Sequence, residues 1–459
     1  MSNWKENAKS VLLNVLILAS FVLTWSLWQK QPQFELIAPA TYVESKPVGQ
    51  TKQLEEMIEP ESIVFHYGDN HHTKANANDG QYRVLSSLMS KWYFYDFLYF
   101  PLPEEKWTAL TRNKLGIEIQ FRSTIPLSLV SQLFTLRGEI EGDIKGISRL
   151  WLYYEERDDM VYALFLSDED QRVIRARTVV SPKDLRDSYL TLGKNLPEQI
   201  LKANASFKSS TNPQVMTYWN IYYLPKEPVE MRQFLYSYMP IQNDGLVQAF
   251  FLDPTLVRQV VERDGTIIFT DGSRSIQIRP GQPAMIYTDP ALPQQKGMLT
   301  NEDKLRGAVT FINQHLGWTD TFHFERLDER AGEGETIRFR QYLGAYPFVS
   351  RGNSSLDEIT VTSEEGQIIT LKQPTIDLDR YIGYNTSTLM SGPELFQYLR
   401  DQKFDSNAVT NAYLAYETTI HQKYVDVKPT WVVEIAGGSS VYVSAKSKQS
   451  GGGKTNGLE

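Results

Sequence analysis

Three histidines stand close together in the stretch HYGDNHH: His66, His71 and His72, with Asp69 between them. Imidazole nitrogens and a carboxylate are the donor set of a zinc site. Their spacing matches no fixed ligand geometry, and such a site also needs an ordered outer shell of partners. A strand histidine followed by a polar loop accounts for the same residues, so no metal or other cofactor is expected. The acidic pairs Asp158-Asp159 and Asp168-Asp170 could divide acid and nucleophile roles in a glycoside hydrolase. Both fall where hairpin turns are predicted, and Asp is favoured there for local hydrogen bonding. The stretch SGGGKT mimics a phosphate-binding loop, but Lys448 occupies the position of its first glycine. Neither G-x-S-x-G nor H-E-x-x-H is present. No catalytic residue is assigned.

The elements that would position these residues read as mixed helix and strand. Strands are predicted at 62–68 and 115–121, and three more between 149 and 180 with turns at Arg157-Asp158 and Asp168-Glu169. Helical spacing covers 82–100, whose aromatic end is also compatible with a strand. A helix is expected from Pro126, and Ser181 with Asp184 suits a helix start. The segment EPVEMRQFLYSYMP reads as a short helix with Pro228 near its beginning. Residues 257–281 contain two hairpin turns, Asp264-Gly265 and Asp271-Gly272. A helix follows from Glu302 to His315, then four strands, a helix at 391–404 with Ser391 as N-cap, and three closing strands. Strands joined by short turns, with helices between them, indicate an α+β fold of mainly antiparallel sheets in several domains.

One segment has a different character. Residues 11–28, VLLNVLILASFVLTWSLW, carry no charge. As a helix they would reach about 27 Å, close to the hydrocarbon thickness of a bilayer. Trp25 and Trp28 lie at the far end, where amphipathic rings favour the headgroup layer, and Lys5 and Lys9 precede the run. A single transmembrane helix with a cytoplasmic N-terminus and an extracytoplasmic bulk is therefore expected. The rival is a cleaved leader. Its two small-residue sites are poor: 24–26 is too early and contains Trp25, and 38–40 lies beyond the run and contains Pro39. Asn14, Ser20 and Thr24 are polar positions within the span and, with Trp25 and Trp28, candidate contacts to other helices. Ser20 and Thr24 can equally bond back to their own helix.

The expected organisation is a cytoplasmic tail at 1–10, the anchor at 11–28 and a first outer domain with its stalk at 29–201. A central domain at 202–295, a C-terminal domain at 296–446 and a disordered tail at 447–459 follow. Polar stretches at 202–213 and after Pro290 mark the boundaries. The 459 residues carry a net charge of -8 and no cysteine. The charge argues against nucleic-acid binding. The missing cysteines exclude disulfides, a thiol nucleophile and thiolate-bound zinc.

Several stretches resemble the YycH (WalH) family of Gram-positive bacteria. VLTWSLWQKQPQFE (22–35) is similar to its N-terminal signature, and FTDGSRSIQI (269–278) to its central part. RFRQYLGAYPFV (338–349) and PTWVVEIAG (429–437) resemble the C-terminal part, which the family shares in outline with its companion YycI. The resemblance implies a non-enzymatic regulator of the cell-wall-controlling sensor histidine kinase YycG (WalK). It would act with YycI through transmembrane and outer-domain contacts. Two other classes stand beside it: an envelope module binding a wall or lipid ligand, and a carbohydrate-active enzyme with facing carboxylates about 5–10 Å apart.

Overall fold

In the computed structural model the described residues are 3–29, 49–140, 144–170, 172–203, 221–290, 299–330, 334–351 and 356–444. Residues 30–48 of the stalk, 204–213 of the boundary expected at 202–213, the boundary after Pro290 at 291–298 and the tail at 447–459 lie outside them. The N-terminal helix Asn3–Gln29 belongs to one unit and residues 45–459 form another. In that helix the described side chains from 12 to 25 are all exposed. Among the described residues no helix is long and apolar enough to cross a membrane.

The first sheet has ten strands. At its centre Ser62–Tyr67 pairs with Leu115–Pro126, which pairs in turn with Gly146–Glu155, then Met160–Ser167 and Arg172–Thr178, all antiparallel. Alternation sends Ile63, Phe65, Ile117, Ile119, Leu150 and Leu152 into one apolar layer. Val64, Trp151, Tyr153, Leu164 and Tyr223 enter a second layer with Trp107 and Leu110 from the helix Glu104–Asn113. Both faces are thus covered. The segment Asp184–Gly193 lies directly on the first layer: a Cβ on Gly193 would come within 2.4 Å of the Phe65 ring. Ser181 and Asp184 exchange hydrogen bonds at its start, as the sequence suggests.

The second sheet has fourteen strands. The meander Arg258–Val261, Ile267–Thr270, Ser275–Ile278 and Ala284–Thr288 joins it through Gln367–Pro374. The turn at Glu365-Gly366 between two strands of this sheet is made with positive φ at both residues, 47° and 82°. The helices Asn301–Gln314 and Gly392–Asp401 begin with capping boxes, Thr300 with Asp303 and Ser391 with Glu394. Hydrogen bonding crosses the boundaries expected from composition. Ile221–Pro225 joins the first sheet, and Ala284–Thr288 pairs with Gln367–Pro374.

The helix expected at 227–240 is a correction. Val229–Pro240 is a strand, paired along its length with Ile376–Leu389, a strand that the sequence reading did not pick out. Met231, Phe234, Leu235 and Tyr238 happen to repeat at helical spacing, but hydrogen bonds to the distant strand determine the conformation.

Candidate functional site

The side chains with the most chemical potential meet inside the first sheet. Register places His66 opposite His72, and Glu118 opposite both Val64 and Trp151. His66, His72 and Glu118 are fully buried. The two histidine rings touch through their Nδ1 atoms, 2.9 Å apart, so one donates and the other accepts. His66 stacks on Trp151 at 4.4 Å and directs Nε2 toward Glu118 at 3.5 Å. The Tyr223 hydroxyl donates to Glu118 at 2.6 Å and the Gln120 amide at 2.9 Å. Arg149 stands 3.9 Å from Glu118 and makes an ion pair with Asp168 at 3.1 Å.

This setting separates the protonation behaviour of the groups. Burial raises Glu118, but hydrogen bonding from His66, the Arg149 guanidinium and the Tyr223 hydroxyl outweigh it and hold the carboxyl at about 2. Burial lowers His72, helped by neighbouring His66, to about 3. Burial also raises Asp168 against the pull of Arg149. The result is a neutral His72 beside an ionised Glu118 at neutral pH. At its heart His66, His72 and Glu118 are sealed from solvent, while Tyr223, Arg149 and Asp168 reach its edge.

His71 takes no part in this network. It is exposed and lies against Tyr67, with ring centroids 5.0 Å apart, while Asp69 occupies the intervening turn at positive φ. Among the described residues no group of three or more His, Asp or Glu is placed to hold a metal ion. Apart from Asp168, which pairs with Arg149, the acidic residues serve turns. Asp158 and Asp159 accept from Tyr162 and Tyr154 at 2.8 and 2.9 Å, and Asp170 from the Lys145 backbone and Ser167.

Beside the network a cleft of about 1010 Å³ opens between the two sheets. Lys74, Arg122 and Tyr223 line one wall; Glu325, Tyr413 and Glu434 line the other. An adjoining hollow of about 610 Å³ shares Asp168, Glu325, Tyr413 and Glu434. Arg122 covers the Tyr342 ring at 4.5 Å. Burial raises Glu434 although the Tyr413 hydroxyl donates to it at 3.2 Å, and Glu325 and Glu61 add to the rise. Mixed charge with aromatic walls suits a polar ligand bearing both signs of charge. Sequence reasoning did not reach this cleft, because its walls come from segments hundreds of residues apart.

The residues singled out in the N-terminal helix form a different kind of surface. Asn14 and Trp25 are exposed, Trp25 at 69%. Thr24 donates its hydroxyl to the Ser20 carbonyl at 2.9 Å, a local bond that occupies the Thr24 side chain. The Trp28 side chain lies outside the described residues.

Two family models match the chain: YycH protein, N-terminal domain, over residues 6–191, and YycH protein, C-terminal domain, over 220–446. The two-component system WalR/WalK regulatory protein YycH of Bacillus subtilis (strain 168) is 22% identical over 458 residues. That similarity covers 94% of this chain and 95% of the relative. The crystal structure of YycH from Bacillus subtilis superposes with a TM-score of 0.68 at 18% identity, covering 87% of this chain and 99% of that one.

Proposed function

The chain belongs to the YycH family, and on that footing we propose that it is a membrane-anchored accessory protein of a WalK-type sensor histidine kinase. It modulates that kinase together with YycI, through contacts between transmembrane helices and between extracytoplasmic domains. One observation carries the reading: similarity to a regulatory protein of the WalR/WalK system runs through 94% of the chain. The N-terminal family model begins at residue 6, so it includes the apolar helix as well as the outer domain.

The mechanism is a population shift. A kinase with two signalling arrangements moves toward the one its partner binds better. A difference of about 1.4 kcal/mol changes the ratio tenfold, within reach of one or two helix–helix contacts. Asn14 and Trp25 are the helix positions proposed to supply them, with Trp28 beside them.

The test is kinase reporter output in cells with the whole chain, its exported outer part alone, or its helix fused to an unrelated outer domain. Regulation restored by the helix fusion places the signal in the membrane. Regulation restored only with the native outer part makes the helix a tether. Output indifferent to the chain removes the reading. Topology has its own test, since the chain lacks cysteine. A Ser87→Cys variant should react with a membrane-impermeant maleimide added outside intact cells, and no labelling would reverse the proposed orientation.

The cleft favours a second reading, an envelope module for a polar wall ligand. Saturable binding of soluble wall fragments, abolished by Glu434→Gln together with Lys74→Ala, would support it.

A further inference from the structure

The meander ends the second sheet with Arg258–Val261, and among the described residues no strand pairs with its outer side. This strand follows Ile267–Thr270 without a bulge and contains no proline. All four of its residues are exposed, Val260 at 50% and Val261 at 62%. Glu262 continues the ladder, its amide donating to the Thr266 carbonyl at 2.9 Å. In an antiparallel ladder every second residue bonds to the same neighbour. Arg258, Val260 and Glu262 therefore bond inward, toward the next strand of the meander. Gln259 and Val261 turn their N–H and C=O groups out of the sheet.

Protected edges carry proline, a bulge or charges that repel a second strand. Here the charges are of opposite sign and stand symmetrically, Arg258 two residues before Val260 and Glu262 two after. Both side chains are exposed. An antiparallel second copy with its two-fold axis at Val260 satisfies this edge. Gln259 and Val261 of one copy exchange main-chain bonds with Val261 and Gln259 of the other, since both residues face outward. Val260 meets Val260 in the closer, non-hydrogen-bonded position, and on either side of it Arg258 faces Glu262 of the second copy. An axis at Arg258 or Glu262 would oppose like charges. One at Gln259 or Val261 leaves both charges without a counterpart between 258 and 262. The symmetry of sequence about Val260 selects a second copy over an unlike partner.

We propose that two copies of this chain join edge to edge through residues 258–262, extending the second sheet across a two-fold axis. The contact is short, so the pair is weak and reversible and accumulates where copies are concentrated. It goes beyond the regulatory reading and does not depend on it.

The chain has no cysteine, so a single introduced one reports on the pairing. Val260→Cys sets the two thiol-bearing residues about 4.5 Å apart at Cα, inside the range that a disulfide spans. Val261→Cys, though more exposed, lies about 7–8 Å from its copy, at the limit of bridging. Leu98→Cys, 59% exposed on the first sheet, controls for chance collision. The purified full chain in detergent is oxidised with copper phenanthroline at rising concentration, and linked dimers are read on non-reducing gels. The expected result is linking at position 260 about tenfold faster than at 261 or 98.

Arg258→Glu or Glu262→Arg, each added to Val260→Cys, turns both ion pairs into repulsions and should slow linking about tenfold. An equal mixture of the two chains restores opposite charges across the axis. Mixed dimers, told apart by a mass tag, should then link at close to the original rate while like dimers do not. Such rescue excludes misfolding as the cause of the slower linking. Linking no faster at 260 than at 261 and 98, linking that ignores the charge changes, or a mixture without rescue would overturn the pairing.

Discussion

Glu118 in the first sheet and Arg340 in the second both lie on inner strands, yet their surroundings differ. Glu118 is 0% exposed and answered from three sides by His66, Tyr223 and Arg149. Arg340 keeps 16% of its side chain exposed, forks onto Glu325 at 3.1 and 2.9 Å and also pairs with Asp357 and Glu358. Around Glu118 the first sheet is covered on both faces, so a charge there must be satisfied within the core. The second sheet turns one face toward the cleft, and its ladder runs from the mostly buried Arg340 out to Arg326, 58% exposed. Removing a buried, paired charge is costly, whereas removing an exposed end of the ladder such as Arg326 is not.

The largest effect expected from this contrast is at Glu118. Replacing it with Ala leaves Arg149 and the Tyr223 hydroxyl facing a void, and breaking a buried pair costs about 3–5 kcal/mol. Denaturant unfolding that shows less than about 1 kcal/mol would end the contrast between the sheets.

Acid titration should come next. Folded His72 sits at about 3 against an ordinary 6.5. Between those values the unfolded chain holds a proton that the folded one refuses. Stability is therefore present above pH 6.5 and falls as pH drops, by roughly 3 kcal/mol at pH 4. Thermal midpoints of His72→Phe should show a shallower slope in this window.

Asp320 in the second sheet works in the opposite sense. Burial and Asp377 raise it to about 7 from 3.8. The folded chain keeps a proton that the unfolded one has lost, so its contribution is full below pH 3.8 and disappears as pH rises to 7. Asp320→Asn should flatten that slope and stabilise the protein at pH 8 by about 1–2 kcal/mol, discounted for partial exposure. A slope unchanged by the substitution would remove Asp320 as its source.

The smallest effect is at Arg326, 58% exposed and paired with Asp328 at 3.1 Å. Its replacement by Ala should alter unfolding by no more than about 0.5 kcal/mol. A larger loss would mean that the ladder is less screened than its exposure indicates.

Local chemistry was legible before the fold was known. The start of the helix at Ser391, the Asp-Gly turns of the meander and the strands between 149 and 180 follow from residues within a few positions of each other. The strand at 115–121 was legible too, but not the fate of its polar side. Its alternation marks Glu118 as solvent-facing, and only a second covering layer with Trp107 and Tyr223 buries it. The segment 227–240 was misread because four apolar residues fell at helical spacing while its pairing partner lay about 145 positions away.

The sequence by itself determined the apolar run at 11–28, the absence of thiol chemistry and the family, because each depends on residue types at neighbouring positions or on their order along the chain. Tertiary structure alone decided which carboxylate is buried, which histidines touch, and where a cleft and an open sheet edge face outward. Those properties depend on the second face of a sheet and on pairing across long stretches of chain, which no local window contains.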